Sequence, residues 1–227
     1  MPLITLDSPL YLASSNPGKL REFSAAALAR GIRVEPLSGF KNLPVCIEDG
    51  NTFEENARKK ALHYSAFVSG AVFADDSGIS VDALGGAPGI FSARFAGPDA
   101  TDDDNNRKLI EELRGLEGAP AGSVSACPQD PPEEGRRERQ TAARTNRAAH
   151  YVCVIALAQA GHVLCVAEGR ADGVILDEPR GTGGFGYDPY FFYAPLGKTF
   201  AELEPETKYT VSHRGKAFRQ LLDLARL

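Results

Sequence analysis

Two adjacent carboxylates are the first residues of this chain with the makings of a reactive site. The stretch FADDSGISVDALGG, residues 73 to 86, sets Asp75 and Asp76 beside Ser77 and Gly78 directly after a short apolar run. One exposed aspartate next to serine and glycine is ordinary turn chemistry, because both side chains bond nearby backbone groups. Two at the end of a buried strand repel each other. A divalent cation relieves that repulsion, and hard carboxylate oxygens suit magnesium, which keeps several waters and often bridges to substrate phosphates. A carboxylate beside such a metal can also orient or deprotonate a water.

Three further clusters carry polar or glycine-rich chemistry. SSNPGK, residues 14 to 19, comprises Ser14, Ser15, Asn16, Pro17, Gly18 and Lys19. It reads either as an ordinary strand-to-helix turn or as a phosphate site, where backbone N–H groups meet the positive end of a helix and Lys19 is a mobile cation. The P-loop spacing is absent. In TFEENARKKA, Glu55 and Lys59 are spaced as a surface pair, while Asn56 and Lys60 form a neighbouring stripe that can project into a cleft. The last cluster is GTGGFGYDP at 181 to 189 with SHRGKAF at 212 to 218. Its glycines predict a backbone that approaches something closely, and Phe185 or Tyr187 offers a face for a flat base. His213 and Arg214, placed just before a helix, are donors for a carbonyl or phosphate oxygen. Taken together, phosphate donors, a metal carboxylate pair and base-stacking aromatics describe a nucleoside triphosphate site.

The elements that must position these residues alternate between strand and helix. Residues 9 to 14 predict a first strand, and Leu20, Phe23 and Ala27 recur at helical spacing until Gly31 offers a stop. A second strand follows at 33 to 37. Thr52 and Glu55 form a capping-box pattern for a helix with Phe53, Ala57, Ala61, Tyr64 and Val68 as its buried stripe, ended by Gly70. The run AVFA then leads into the aspartates, where a buried strand leaves the sheet and open α/β sheets tend to bind ligands. A helix is predicted over 102 to 114, and a hairpin of YVCVIALAQ and HVLCVAEGRADGVIL turns at Ala160 and Gly161. A final helix is predicted from Lys216 to Leu224 with Phe218, Leu221 and Leu222 facing inward. Residues 118 to 148, rich in Gly, Pro, Ala and charge, predict a mobile insertion within a single domain.

Composition narrows the partners. With 25 Lys plus Arg against 30 Asp plus Glu the net charge is −5, so nothing global draws the chain to nucleic acid or an anionic membrane. The arginines around 136 to 147 lack interleaved aromatics and read as a solvated loop rather than a nucleic acid arm. Cys46, Cys127, Cys153 and Cys165 have no zinc-like spacing and predict free thiols in a reducing compartment. No basic leader or long apolar segment is evident, which predicts a soluble, cytoplasmic protein.

SSNPGK, TFEENARKKA, FADDSGISVDALGGAPGIFSARFAG, GTGGFGYDPYFF and KTFAELEPETKYTVSHRGKA resemble, in this order, the motifs of the inosine triphosphate pyrophosphatase family, the house-cleaning nucleoside triphosphate diphosphatases. The resemblance implies an elongated, two-lobed α/β fold with a long central mixed β-sheet flanked by helices and an active-site cleft between the lobes. It implies a homodimer and magnesium-dependent hydrolysis of inosine, deoxyinosine and xanthosine triphosphates to monophosphate and pyrophosphate. By position, Asp76 matches the proton acceptor and metal ligand, and Ser77 a substrate contact. Residues Ser14 to Lys19 match the phosphate-binding turn, and Asn56 and Lys60 lie on the helix motif. Phe185, Gly186, Tyr187, Asp188, Lys208, His213 and Arg214 match base- and substrate-binding positions. The run CIEDG departs from the family: strict register puts Ile47 at a metal-ligand position, and Glu48 is the substitute. Two other expectations stay open, a pyrophosphatase for another modified nucleotide and a nucleotide-binding sensor without catalysis.

Overall fold

The computed structural model describes residues 9–28, 30–118 and 146–227. A seven-stranded mixed sheet has the order β2-β1-β3-β4-β5-β6-β7. Strand β1 (Leu10–Leu12) leads through helix α1 (Pro17–Leu28) to β2 (Val34–Pro36), its parallel neighbour. Helix α1 ends in a tight turn, with Gly31 at φ 72° and its N–H on the Leu28 carbonyl. Helix α2 (Phe53–Ser65) follows, and then β3 (Val72–Val81), which is parallel to β1 for only two residues and antiparallel to β4 (Ala148–Gln159) along its whole length. Helix α3 (Asp102–Gly118) lies between β3 and β4 in the chain. Strand β5 (His162–Ile175) pairs antiparallel with β4, followed by β6 (Phe191–Tyr193), β7 (Lys198–Thr199), α4 (Pro205–Val211) and α5 (His213–Ala225).

The middle strands are apolar on both sides because both sides are covered. On β4, Cys153, Ile155 and Leu157 join Leu12, Phe23, Phe73, Phe218 and Leu221 in a core under α1 and α5. The alternate residues Val154, Ala156 and Ala158 join Val72, Ala74, Ala57 and Ala61 under α2. Phe23, Phe73 and Phe218 meet pairwise at 5.0 to 5.3 Å, so one aromatic cluster ties α1, β3 and α5 together. Where β4 turns into β5, Ala160 (φ 49°) and Gly161 (φ 77°) make the expected two-residue hairpin.

Four expectations about elements are corrected. The aspartates do not end a strand: β3 runs on through them to Val81, because β4 supplies a partner to every residue. Helix α2 stops at Ser65, ahead of Gly70, as the N–H groups of Ala66 and Phe67 return to His63 and Tyr64. Helix α3 continues past 114 to Gly118. Helix α5 begins at His213, capped by the Ser212 hydroxyl on the Gly215 N–H at 3.2 Å, and α4 precedes it without having been predicted. Most of the proposed insertion, 119 to 145, and Cys127 with it, lies outside the described residues. Cys153 is buried and Cys46 and Cys165 are half-buried, all as free thiols.

Candidate active site

At the C-terminal end of β1 the chain turns into α1 through SSNPGK. Asn16 caps the helix: its Oδ1 accepts the N–H of Gly18 at 2.8 Å and of Lys19 at 3.2 Å, and the Asn16 N–H itself bonds Ser14 Oγ at 3.1 Å. Pro17 sits at the first helical position, where its missing N–H costs nothing. The expectation of open backbone donors is therefore corrected, since the side chain of Asn16 already occupies them. Ser14, Ser15 and Lys19 line a cleft of about 390 Å³ together with Glu48, Lys60 and Asp75. A larger hollow of about 520 Å³ beside Arg107 and Glu111 is open to solvent and gathers none of the expected site residues.

The two aspartates have opposite surroundings. Successive residues of β3 face opposite sides of the sheet, so Asp75 lies on the α1–α5 side and Asp76 on the α2 side. Alternation points the two charges to opposite faces of the sheet. Asp75 is 2% exposed, and Lys19 Nζ reaches its oxygens at 3.0 and 2.8 Å. Ser77 Oγ donates to Asp75 Oδ2 at 3.2 Å, and Arg214 Nε lies 3.7 Å from the same oxygen. Lys19 is thus an anchored cation, not a mobile one. Although burial alone would raise it, the cations Lys19, Arg214 and Lys60 hold the Asp75 carboxyl well below the usual carboxylate range.

Asp76 is 14% exposed at its side chain and meets the cleft through Lys60, which lines it. Its Oδ2 accepts from Asn56 Nδ2 at 3.2 Å and its Oδ1 from Lys60 Nζ at 3.2 Å. Lys60 also reaches Glu48 Oε2 at 2.8 Å, so a single ammonium bridges two carboxylates. Burial pushes the Asp76 carboxyl up, and the Glu48 charge adds to this against the pull of Lys60 and Asn56. Asn56 serves twice, since its Oδ1 holds the Gly50 N–H at 2.8 Å and so fixes the loop that brings Glu48 in. The predicted Glu55–Lys59 pair does not form: Lys59 bonds Asp49, and Glu55 accepts the Asn51 N–H at 2.6 Å. Both contacts secure the same loop to α2. Ile47 is 76% exposed there, and Glu48 faces Lys60.

The other end of the site is built from the glycine-rich loop and α4–α5. Phe185 packs over Gly18, whose missing Cβ would lie 3.2 Å from the ring, and the guanidinium of Arg214 sits 4.7 Å from the ring centroid. Asp188, 3% exposed, accepts from Lys208 Nζ at 2.7 Å and from the Phe185 N–H at 2.8 Å. Burial pushes its carboxyl up and Lys208 draws it back. Glu22, which the sequence reading passed over, joins Lys208 at 3.1 Å and Arg214 at 3.7 Å. Its signal was its place three residues after Lys19 on one helix face. Asp75 had been noticed only as half of a pair.

Two expected contacts shift. Tyr187 is 4% exposed and its hydroxyl donates to the Ser92 carbonyl at 2.8 Å, so its ring belongs to the core and only Phe185 remains to stack on a base. The close approach required of the glycines is to the chain itself, since a Cβ on Gly181 would lie 2.5 Å from the Ala201 carbonyl. Gly186 is held through its N–H to Asp102 at 2.7 Å and its carbonyl to Asn106 at 3.0 Å. His213 is 1% exposed and lies in the first turn of α5, not before it, with both ring nitrogens unpartnered among the described residues.

A cleft at the point where parallel pairing gives way to antiparallel, lined by the anchored lysines Lys19 and Lys60 with the carboxylates of Glu48 and Asp75, defines an α/β protein equipped to take a multiply charged anion. The chain belongs to the Ham1 family, whose model matches residues 10–137 and 116–224. It is 42% identical over 212 residues to the dITP/XTP pyrophosphatase of Desulfotalea psychrophila, covering 93% of this chain and 82% of that protein. The dITP/XTP pyrophosphatase of Geobacillus kaustophilus is also 42% identical over 212 residues, with 93% and 91% covered. Among solved structures, a HAM1 protein from Coxiella burnetii superposes with a TM-score of 0.75 at 35% identity, covering 96% of this chain and 98% of that one. The nucleoside-triphosphatase / dITP/XTP pyrophosphatase of Mycobacterium abscessus gives 0.64 at 36% identity, with 95% and 99% covered.

Proposed function

We propose that this protein hydrolyses deaminated purine nucleoside triphosphates, those of inosine, deoxyinosine and xanthosine, at the α-phosphate to give monophosphate and pyrophosphate. The observation that carries the reading is the division of labour between neighbours: Asp75 is saturated by cations, and Asp76 keeps a partly exposed carboxylate oriented by Asn56 and by Lys60, which itself lines the cleft. Membership of the Ham1 family and the printed names of its relatives supply the substrate class.

Asp76 takes the proton of a water that attacks the α-phosphorus, and pyrophosphate leaves with the electrons of the broken P–O bond. Asn56 fixes the direction of the carboxylate. Lys60, Lys19 and the hydroxyls of Ser14 and Ser15 receive the phosphates, where positive charge matters most as charge builds on the leaving group. Phe185 stacks on the base, with His213, Arg214, Lys208 and Ser77 around it. Hypoxanthine and xanthine present a C6 carbonyl where adenine presents an amino group, so donors from His213 and Arg214 select against ATP by leaving polar groups unpaired.

Magnesium suits the residues present. Among the described residues no group of three His, Cys, Asp or Glu is placed to hold a metal, but magnesium commonly uses one or two carboxylates plus substrate phosphates. Asp76 and Glu48 are such a pair, hard oxygens already gathered around one cationic group. When bound there, magnesium supplies charge neutralisation for the phosphates and a lowered pKa for bound water. The same reading makes the protein a cytoplasmic homodimer; among the described residues no helix is long and apolar enough to cross a membrane.

The test is a turnover panel with magnesium, offering inosine, xanthosine, adenosine and guanosine triphosphates and assaying pyrophosphate and orthophosphate separately. Pyrophosphate chiefly from the first two is expected. Orthophosphate, or equal rates with all purines, overturns the reading.

A further inference from the structure

An unbroken run of polar contacts joins the phosphate turn to the base end, and Asp75 is its joint. From Lys19 the run passes through Asp75 and Ser77 to Arg214, whose Nη2 donates to Ser77 Oγ at 3.0 Å. It continues through Glu22 and Lys208 to Asp188 and the backbone of Phe185. Four elements contribute: α1, β3, α4 and the first turn of α5. Asp75, Arg214, Lys208 and Asp188 in this run are buried, and Lys19, Ser77 and Glu22 are half-buried.

Within this run Asp75 has two partners that serve different parts of a substrate. Lys19 lies at the phosphate turn, and Arg214 packs on Phe185 at the base end. Among the described residues the buried Nε of Arg214 has no hydrogen-bond partner, and the nearest carboxylate oxygen is that of Asp75, 3.7 Å away. The carboxylate is therefore shared unequally, held closely by Lys19 and loosely by Arg214. Both of its oxygens are engaged by cations, so it is no candidate for moving a proton.

We propose that Asp75 is a positioning residue for base discrimination, coupling the grip on the phosphates to the orientation of Arg214. This rests on the reading of the cleft as a nucleoside triphosphate site. A triphosphate draws Lys19 away from Asp75, and the freed carboxylate then acts on Arg214 alone, fixing the guanidinium against the base. A base with a carbonyl at that edge accepts from the fixed donor, whereas an amino group there is left opposed. Base identity is thereby felt most strongly when phosphates are in place. The coupling is an energetic link between two sites through one shared group.

The experiment compares wild type, Asp75→Asn and Ser77→Ala, measuring kcat and KM with inosine and adenosine triphosphates, plus inhibition by tripolyphosphate, which has phosphates and no base. In Asp75→Asn the kcat/KM ratio of inosine over adenosine triphosphate is expected to fall by about tenfold or more, while tripolyphosphate binds as well as before or better, since Lys19 is released. A ratio within about twofold of wild type overturns the proposal. So does a loss of tripolyphosphate inhibition in step with the loss of nucleotide turnover, because that is the pattern of general damage. Should Asp75→Asn lack a cooperative melt, Ser77→Ala decides by the same ratio, since it removes the hydroxyl that bridges Asp75 and Arg214 and leaves the guanidinium only its looser 3.7 Å contact, while sparing the Lys19 pair. A wild-type enzyme with no preference between the two nucleotides overturns the function itself; a wild-type preference that survives both variants overturns only the role of Asp75.

Discussion

The rings of Tyr151 and His213 lie 4.4 Å apart and 5° from parallel, so a strand residue of the central sheet forms the floor beneath the first residue of α5. Burial pushes the imidazole pKa well below its ordinary value, and the cations Arg214, Lys208 and Lys19 add to the effect against the pull of Asp75. His213 is therefore neutral in the folded protein. The unfolded chain protonates the same ring near pH 6.5, so stability from this residue is full above that pH and is lost as pH falls towards the depressed folded value. In that window the slope approaches about 1.4 kcal/mol per pH unit. Urea unfolding between pH 7.5 and 5.5 should show it, and His213→Phe, which stacks but does not titrate, should flatten it.

Asp76→Asn keeps the shape of the side chain and removes the proton acceptor proposed above. Turnover should drop by about 100-fold or more with an unchanged melting profile. Wild-type turnover in a folded variant contradicts the role assigned to Asp76.

Glu48 is expected to matter through the metal. In Glu48→Gln the magnesium concentration for half-maximal activity should rise by about tenfold, and excess magnesium should restore most of the rate. A magnesium titration that superimposes on wild type removes Glu48 from the metal site.

Gly169 of β5 is where α5 rests on the sheet. A Cβ there would lie 2.1 Å from the His213 carbonyl and 2.4 Å from the Ala217 nitrogen. Gly169→Ala should cost about 1–3 kcal/mol in urea unfolding and raise KM, since His213 and Arg214 move with the helix. An unaltered KM would mean that the start of α5 does not set substrate binding.

The β-α-β start, the long hairpin and the Thr52 cap were legible because each depends on local periodicity and turn chemistry. The extension of β3 through Asp75 and Asp76 was not, because it depends on β4, some 80 residues away, offering it a partner. The same limit applied to the site. Sequence motifs brought Asp76, Asn56, Lys60 and Phe185 to notice; the structure joins Asn56 and Lys60 to Asp76 and sets Phe185 over Gly18 and beside Arg214. Which aspartate is saturated, and that Tyr187 turns into the core, follow from strand alternation and from Ser92, neither of which a linear pattern displays. Glu22 was missed because its partners, Lys208 and Arg214, lie at the far end of the chain.

That long reach has a kinetic consequence. The contact between Glu22 and Lys208 closes a loop of 186 residues, and the Arg30–Asp223 contact one of 193. Contacts so distant in sequence form slowly, after local helices and the central hairpin have been made. A nascent chain acquires α1 and the SSNPGK turn first and α5 with His213 and Arg214 last. During refolding the recovery of helical signal should run ahead of catalysis, and a half-made protein should have a sheet but no working cleft.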